Sequence, residues 1–419
     1  MGTSEYEYIA GIDIGTTKIG AIIAEVAEGE QPKIIGVGIA PSDGLRKGVV
    51  VDIEKTVRSI ESAVAQAEQM ADIEVNEAYV GIAGDHIRSF NGRGVVAVAG
   101  PDNEVTEDDV RRVLEAAKAV MMPVDRELLH ILPQEFIVDD QRGIRNPVGI
   151  SGVRLETEVH IVTGAVTSAQ NICRSVEKAG IEVRDLVLEP LASSYSVLTE
   201  EEKELGVIVI DMGGGTTDIA MFFEGCIRQT AVIALGGGNV TSDIAIVLRT
   251  PMEQAEMIKQ RFGCCDYNLL ENPEEPIEVP GINSRSSRKI SKELLTDIIR
   301  SRMEEIFKMS ANQIRKTDFA DLMTTGVVLT GGGSLIKGAV ELAEEIFDMP
   351  VKLGIPRGFS GLIDLARSPI HATGVGLVLY ALSGDYEQLD GLFASSKQKS
   401  LWQAIVDRLR SFISPRRPG

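Results

Sequence analysis

Blocks of apolar residues, and the spacing inside them, mark most of the elements along this chain. An apolar run at 8–15 passes through Thr16, Thr17 and Lys18 into a second run at 19–26, which predicts a hairpin with a Gly, Thr and Lys turn. A third run at 33–40 extends the meander. Val57, Ile60, Val64, Ala67 and Ala71 then recur at helical spacing, so an amphipathic helix precedes the strand that ends in Ile82, Ala83 and Gly84. Between 85 and 162 the texture changes. Short strands alternate with one helix over 106–120, opened by Thr106 as cap and Asp108 as first-turn acid, and Pro123, Pro133 and Pro147 interrupt the pattern. That block reads as an inserted subdomain.

After an apolar run at 183–188 and the stretch Glu189, Pro190, Leu191, Ala192, the opening pattern restarts. Residues 206–218 make a strand, a Gly-Gly-Gly-Thr-Thr turn and Asp218, and continue into a strand over 219–223. Ile-Asp-x-Gly followed by Thr-Thr stands at Asp13 and again at Asp211, 198 residues on, and a repeat at that distance is a duplicated domain. A second, more helical insert is expected over 230–302. Residues 326–334 give a strand, a third glycine turn (Gly331, Gly332, Gly333) and a helix start at Ser334. The expected organisation is a first core of 1–84 with 163–198, interrupted by an insert at 85–162. A second core of 199–229 with 303–382 is interrupted at 230–302. A polar linker at 383–400 and a last helix at 401–413 follow.

Composition narrows the function classes. The chain has 419 residues, 44% hydrophobic and 25% charged, as an ordinary soluble protein of two to four domains does. Its formal charge of −20 makes phosphate neutralisation of nucleic acid a poor role. No 18-residue apolar stretch exists to span a bilayer, and Glu5 and Glu7 stand where a secretory signal would carry bases. Tyr6 occupies the position where a myristoylation signal needs Ser or Thr. Cys173, Cys226, Cys264 and Cys265 show no Cys-x-x-Cys spacing, which suits buried thiols in a reducing, cytoplasmic compartment. The charge is uneven: from Lys397 onward six bases face one acid, a net +5 on a body of −25.

Two hairpins, each with an acid on the strand and Gly and Thr in the turn, suit a polyanion clasped from both sides. Glycines at Gly15, Gly213, Gly214 and Gly215 let backbone N–H groups approach phosphate oxygens, while Thr16, Thr17 and Thr216 add donors. Lys18 adds a point charge. Asp13 and Asp211 near a polyphosphate call for a cation, and magnesium takes one or two carboxylates with phosphate and water. The third glycine turn would seat a base and ribose. One such turn alone is more often a tight connection; three, two of them repeats with matching acids, make a site. His86, His130, His160 and His371 lack ligand spacing and read as structural.

These hairpins, the turn at 331–334 and the Glu189-Pro190-Leu191-Ala192 connection resemble the actin, sugar-kinase and DnaK-type chaperone superfamily. The resemblance implies an α/β fold of duplicated actin-like (ribonuclease-H-like) domains around a nucleotide cleft, each with an inserted subdomain. It makes the hairpins phosphate loops and 331–333 the adenosine loop for ATP with Mg2+. It also implies that Glu189 takes the place of the residue that orients attacking water, the catalytic residue of a slow ATPase at most. Gly236 and Gly237, followed by Glu256 and Lys259, resemble the segment that touches ribose and adenine. His371-Ala-Thr-Gly resembles the second connection. More narrowly, Ile82-Ala-Gly84 with His86, His130-Ile-Leu-Pro-Gln-Glu-Phe136, Arg154-Leu-Glu156 and Val159-His-Ile-Val-Thr163 are similar to the FtsA family of bacterial cell-division proteins. That resemblance implies ATP-dependent filaments of the protein itself, binding of the FtsZ C-terminal tail, and attachment to the cytoplasmic side of the inner membrane at the division site, where later division proteins are also implied partners.

Two other functions compete. A soluble sugar or acid kinase needs a base for the substrate hydroxyl, and Asp13, Asp211 and Glu189 all qualify, but it has no use for the tail helix. Another actin-like cytoskeletal filament protein would carry actin's own insert position. A chaperone is excluded because too little chain follows 382 for a substrate domain. Arg288 and Lys292, ahead of an apolar stripe at Leu294, Leu295, Ile298 and Ile299, with Arg300 beyond, suit a basic rim for the FtsZ tail. They suit an exposed helix start equally well. At the end of the chain, Leu401, Trp402, Ile405, Val406, Leu409, Phe412 and Ile413 share an arc of about 140° on a helical wheel. With Trp402 the only Trp and bases around it, this segment reads as an amphipathic helix lying in an anionic membrane surface. A terminal helix docked on its own core is the alternative.

Overall fold

The computed structural model describes residues 7–118, 123–281 and 287–383. The linker expected at 383–400 lies outside them except for its first residue, and so does all of the helix expected at 401–413, including Leu401, Trp402, Ile405, Leu409, Phe412 and Ile413. The described residues divide into two compact units, one of 7–89, 123–130 and 162–379, the other of 90–118, 131–161 and 380–383.

The first unit holds two sheets built on one plan. In the first, Glu7–Ile14 pairs antiparallel with Lys18–Val26 and parallel with Glu77–Ile82. Lys33–Pro41 and Ser360–Gly361 extend one side, and Glu182–Leu188 is the edge strand on the other. In the second, Val207–Met212 pairs antiparallel with Thr217–Phe223 and parallel with Val327–Thr330. Cys226–Ile233 and Val351–Leu353 close its two sides. Ile208, Val209 and Ile210 are completely buried, as expected of a strand covered on both faces. The helix Ile53–Ala71 covers the first sheet. Asp52 caps it by accepting from the Lys55 amide, and Val57, Ile60, Val64 and Ala67 form its buried stripe.

The second half of this unit is one continuous core. Ile208 and Leu329 of the sheet share it with Ile244, Ile258, Leu295 and Phe307. The insert border expected at 302 therefore falls inside a single helix, Lys292–Arg315, because the apolar stripe Leu295, Ile299, Met303, Ile306 runs on without a breaker. The border expected at 229 likewise falls within Cys226–Ile233.

The second unit is organised on a four-stranded sheet in the order Arg88–Ala97, Arg154–Ala165, Arg126–Val138, Gln141–Ile144. Its helix Glu107–Lys118 buries Val110, Val113, Leu114 and Ala117. Asp109 accepts from the Thr106 and Ala99 amides, and these bonds hold its carboxyl down to about 2 despite burial. No helix among the described residues is long and apolar enough to cross a membrane. All four cysteines are free; burial pushes the Cys173 and Cys265 thiols up.

Candidate functional site

The two acids end equivalent strands. Asp13 faces Gly20 across the first hairpin and Asp211 faces Asp218 across the second. Lys18 returns from the first turn and places Nζ 2.8 Å from Asp13 Oδ2. The turns meet tip to tip: a Cβ on Gly214 would overlap Thr17, and one on Gly215 would crowd Thr16. The third glycine turn closes on the same place. Gly331 adopts φ +81°, and a Cβ there would overlap Asp211 Oδ1, while one on Gly333 would overlap the Met212 side chain. Only glycine allows both that backbone conformation and that approach.

Gly236 and Gly237 brace the second hairpin rather than offering free donors. The Gly237 and Gly238 amides donate to the Gly213 and Gly214 carbonyls at 2.9 and 2.8 Å, and the Gly236 amide donates to Asn239. A Cβ on Gly237 would sit 3.6 Å from Gly213 O and 3.8 Å from both Gly333 Cα and Lys259 Nζ, so these groups line one space. Lys259 stands there on Glu256 at 2.7 Å, Thr241 Oγ1 at 2.9 Å and Gly237 O at 3.2 Å. The structure thus brings Asp13, Gly15 to Lys18, Asp211, Gly213 to Thr216, Gly236, Gly237, Glu256, Lys259 and Gly331 to Gly333 into one cleft within the first unit.

Four carboxyls, of Asp13, Glu189, Asp211 and Asp218, gather beside the two hairpin turns. Glu189 is the first residue of the helix Glu189–Val197 and is half-buried. Its acidity is nonetheless displaced well upward, first by desolvation and then by Asp13, Asp218 and Asp211, with Lys18 opposing. Burial raises Asp211 to about 6 even though Ser193 Oγ donates to it at 2.5 Å and Thr373 Oγ1 at 3.2 Å. Burial raises Asp218 to about 8, and its Oδ1 has no partner among the described residues. Carboxylates crowded this way lack positive charge, and all-oxygen donors suit a hard divalent cation. No group of three among the described residues is close enough to hold a metal by itself, so phosphate oxygens or water would have to complete the shell. The residues fit magnesium on those terms.

Sequence reasoning missed Asp218, Ser193 and Thr373 as site residues. The antiparallel register of a hairpin opening at 213 points to Asp218 opposite Asp211. Ser193 and Thr373 carry no sequence signal, since they meet only where the two connections cross. Burial holds His86, His130, His160 and His371 down to about 4, hence neutral.

The expected basic rim is differently disposed. Arg288 lies on the strand Ser287–Ser291, not on the helix, and donates to Val247 O at 3.2 Å. Lys292 opens the helix paired with Glu275. Arg300 pairs with Glu304 and Glu345, both at 2.8 Å, and donates to Cys265 O at 3.2 Å.

One consequence is measurable without ligand. With a folded-state value of about 8 against an ordinary 3.8, Asp218 binds its proton more tightly folded than unfolded. Stability is then lost as pH rises from about 4 to about 8. Asp218→Asn mimics the protonated form, so calorimetry should show a small change in melting temperature near pH 4 and a gain of several degrees near pH 9. An equal change at both pH values would refute the buried-acid account.

Comparison with known proteins follows this geometry. Residues 208–376 match the family model of cell division protein FtsA, and residues 84–163 match that of the SHS2 domain inserted in FtsA. The chain is 51% identical to the cell division protein FtsA of Pseudomonas aeruginosa over 97% of both chains. It is 40% identical to that of Escherichia coli K12 over 92% of this chain and 93% of the relative. Among solved structures, a PilM–PilN type IV pilus biogenesis complex aligns with TM-score 0.66 at 16% identity, covering 89% of this chain and 98% of that one. MreB5 of Spiroplasma citri bound to ADP aligns with TM-score 0.55 at 16% identity, covering 91% and 98%. These likenesses make the fold actin-like, with duplicated α/β domains. Near-complete coverage by relatives of this identity places the chain in the FtsA family of cell-division proteins.

Proposed function

We propose that this cell-division protein binds ATP with magnesium between its two hairpins and assembles into actin-like filaments on the cytoplasmic side of the inner membrane. There it would tie the FtsZ C-terminal tail to the surface through its own last helix. The observation that carries the reading is the tip-to-tip meeting of the two repeated turns, with the third glycine turn packed on Asp211. In this reading Gly15 to Lys18 and Gly213 to Thr216 hold phosphates by backbone N–H, hydroxyl and ammonium groups. Asp13 and Asp211, with Asp218 beside them, face the magnesium, which would neutralise phosphate charge when bound. Gly331 to Gly333, Glu256 and Lys259 hold the adenosine. Glu189 orients water. Its upward-shifted acidity biases it toward the protonated form, a poor base, which supports slow turnover.

Co-pelleting with ATP, anionic vesicles and FtsZ tail peptide tests the whole. Magnesium-dependent sedimentation needing both ATP and vesicles is expected, and sedimentation indifferent to ATP would overturn it. The tail site is proposed beside Arg288, Lys292 and the exposed Leu294. Reversal of Arg300 would also break its bonds to Glu304, Glu345 and Cys265 O, so Arg288 and Lys292 make the cleaner test. Reversing Arg288 and Lys292 to Glu should weaken peptide binding about tenfold or more, with the loss growing at low salt. Unchanged affinity would move the site elsewhere.

A further inference from the structure

His130 is a buried side chain that the cleft does not use directly. It sits in the strand Arg126–Val138, at the end of the stretch belonging to the first unit. Its Nε2 accepts from the Leu188 amide at 2.9 Å. Leu188 ends the edge strand and is the N-cap of the helix Glu189–Val197, with no side-chain cap bond of its own. Amides at a helix start and on the outer side of an edge strand have no backbone acceptor. The imidazole supplies one. Accepting at Nε2 puts the ring proton on Nδ1, and burial keeps the ring neutral at physiological pH, so the acceptor is permanent.

Glu189 follows directly. Fixing the Leu188 N–H fixes the peptide plane from which the helix departs at φ −58°, ψ 124°, and with it the direction in which Glu189 enters the cleft. The Glu189 side chain lies over Gly81, where a Cβ would come 3.2 Å from its Cγ and 3.5 Å from Thr373 Cγ2. We propose that His130 is a positioning residue for Glu189, holding the first turn of its helix in the register that aims the carboxyl at the phosphate end of the cleft. This deepens the reading of Glu189 given above and rests on it.

The test uses the full chain with His130→Ala, His130→Gln and, as a stability-matched control, Leu342→Ala in the core of the second half. Gln can place Oε1 where Nε2 stood. Without nucleotide, hydrogen exchange of amides 186–195 should quicken about tenfold in His130→Ala, return toward the native rate in His130→Gln, and stay native in Leu342→Ala. With ATP, affinity should hold within about twofold in His130→Ala while single-turnover hydrolysis per bound ATP falls about tenfold and recovers in His130→Gln. Exchange unchanged from the control, or hydrolysis per bound ATP unchanged, overturns the positioning role. If native turnover is below detection, exchange alone decides. A native chain that binds no ATP, or a Glu189→Gln chain that hydrolyses normally, rejects the functional reading of the cleft instead, and the nucleotide-free exchange result stands apart from it.

Discussion

Gly332→Phe is expected to leave the fold intact and abolish ATP binding. Of the three glycines in the third turn, Gly332 alone has room: among the described residues its Cβ would meet only Ile370 Cγ1, at 3.8 Å. Gly331 and Gly333 cannot separate ligand from fold, because any side chain there strikes Asp211 or Met212 first. A side chain at Gly332 therefore leaves the backbone into open space instead of against protein. If the adenosine lies against this turn, affinity should fall more than about 100-fold, near 3 kcal/mol, with the melting temperature of the ligand-free chain nearly unchanged. Calorimetric titration with Mg–ATP and a thermal melt read both quantities. Retained affinity would remove 331–333 from the site, and with them the main structural reason for placing adenosine there.

Deleting residues 397–419 should eliminate sedimentation with anionic vesicles while sparing ATP binding. This segment lies outside the described residues, and its sequence carries the expectation. Thirteen residues at 401–413 are too few to span a bilayer but present a continuous apolar arc. The net +5 of the tail is drawn to anionic lipid at up to roughly 1 kcal/mol per base near the surface. The body, at −25, is repelled. Binding to vesicles should therefore weaken steeply with salt in the native chain and be absent in the truncated one. Vesicle binding that survives the deletion, or a truncated chain that unfolds, would favour a terminal helix docked on its own core.

The family and the repeat were legible early because they rest on local pattern. Strands that carry Asp13 and Asp211 are apolar on both sides of the acid, and their turns need glycine for reasons internal to a few residues. The inserts were harder. A border is a change in which residues pack together, and the helix Lys292–Arg315 packs one uninterrupted stripe into a core shared with the sheet, so no sequence punctuation marks 302. Arg288 and Arg300 fell on opposite sides of the same difficulty. A basic residue near an apolar stripe reads alike whether it faces water or pairs with an acid of another segment, and Glu345, which holds Arg300, is distant in sequence.

Sequence alone thus determined the duplicated α/β plan, the three glycine turns, the acids at the strand ends and the basic, apolar-striped tail. Each is set by periodicity, backbone freedom or charge within one segment. Tertiary structure decided which acids matter together. Glu189, Asp211 and Asp218 acquire raised affinities for protons because folding removes water from all of them at once and gathers acids together, with Lys18 opposing the rise at Glu189 and Asp211. It also decided what holds them: Ser193 and Thr373 reach Asp211 from two connections far apart in the chain, and His130 reaches Leu188 across 58 positions. Desolvation and long-range hydrogen bonds depend on distances between segments, and those distances exist only once the chain has packed.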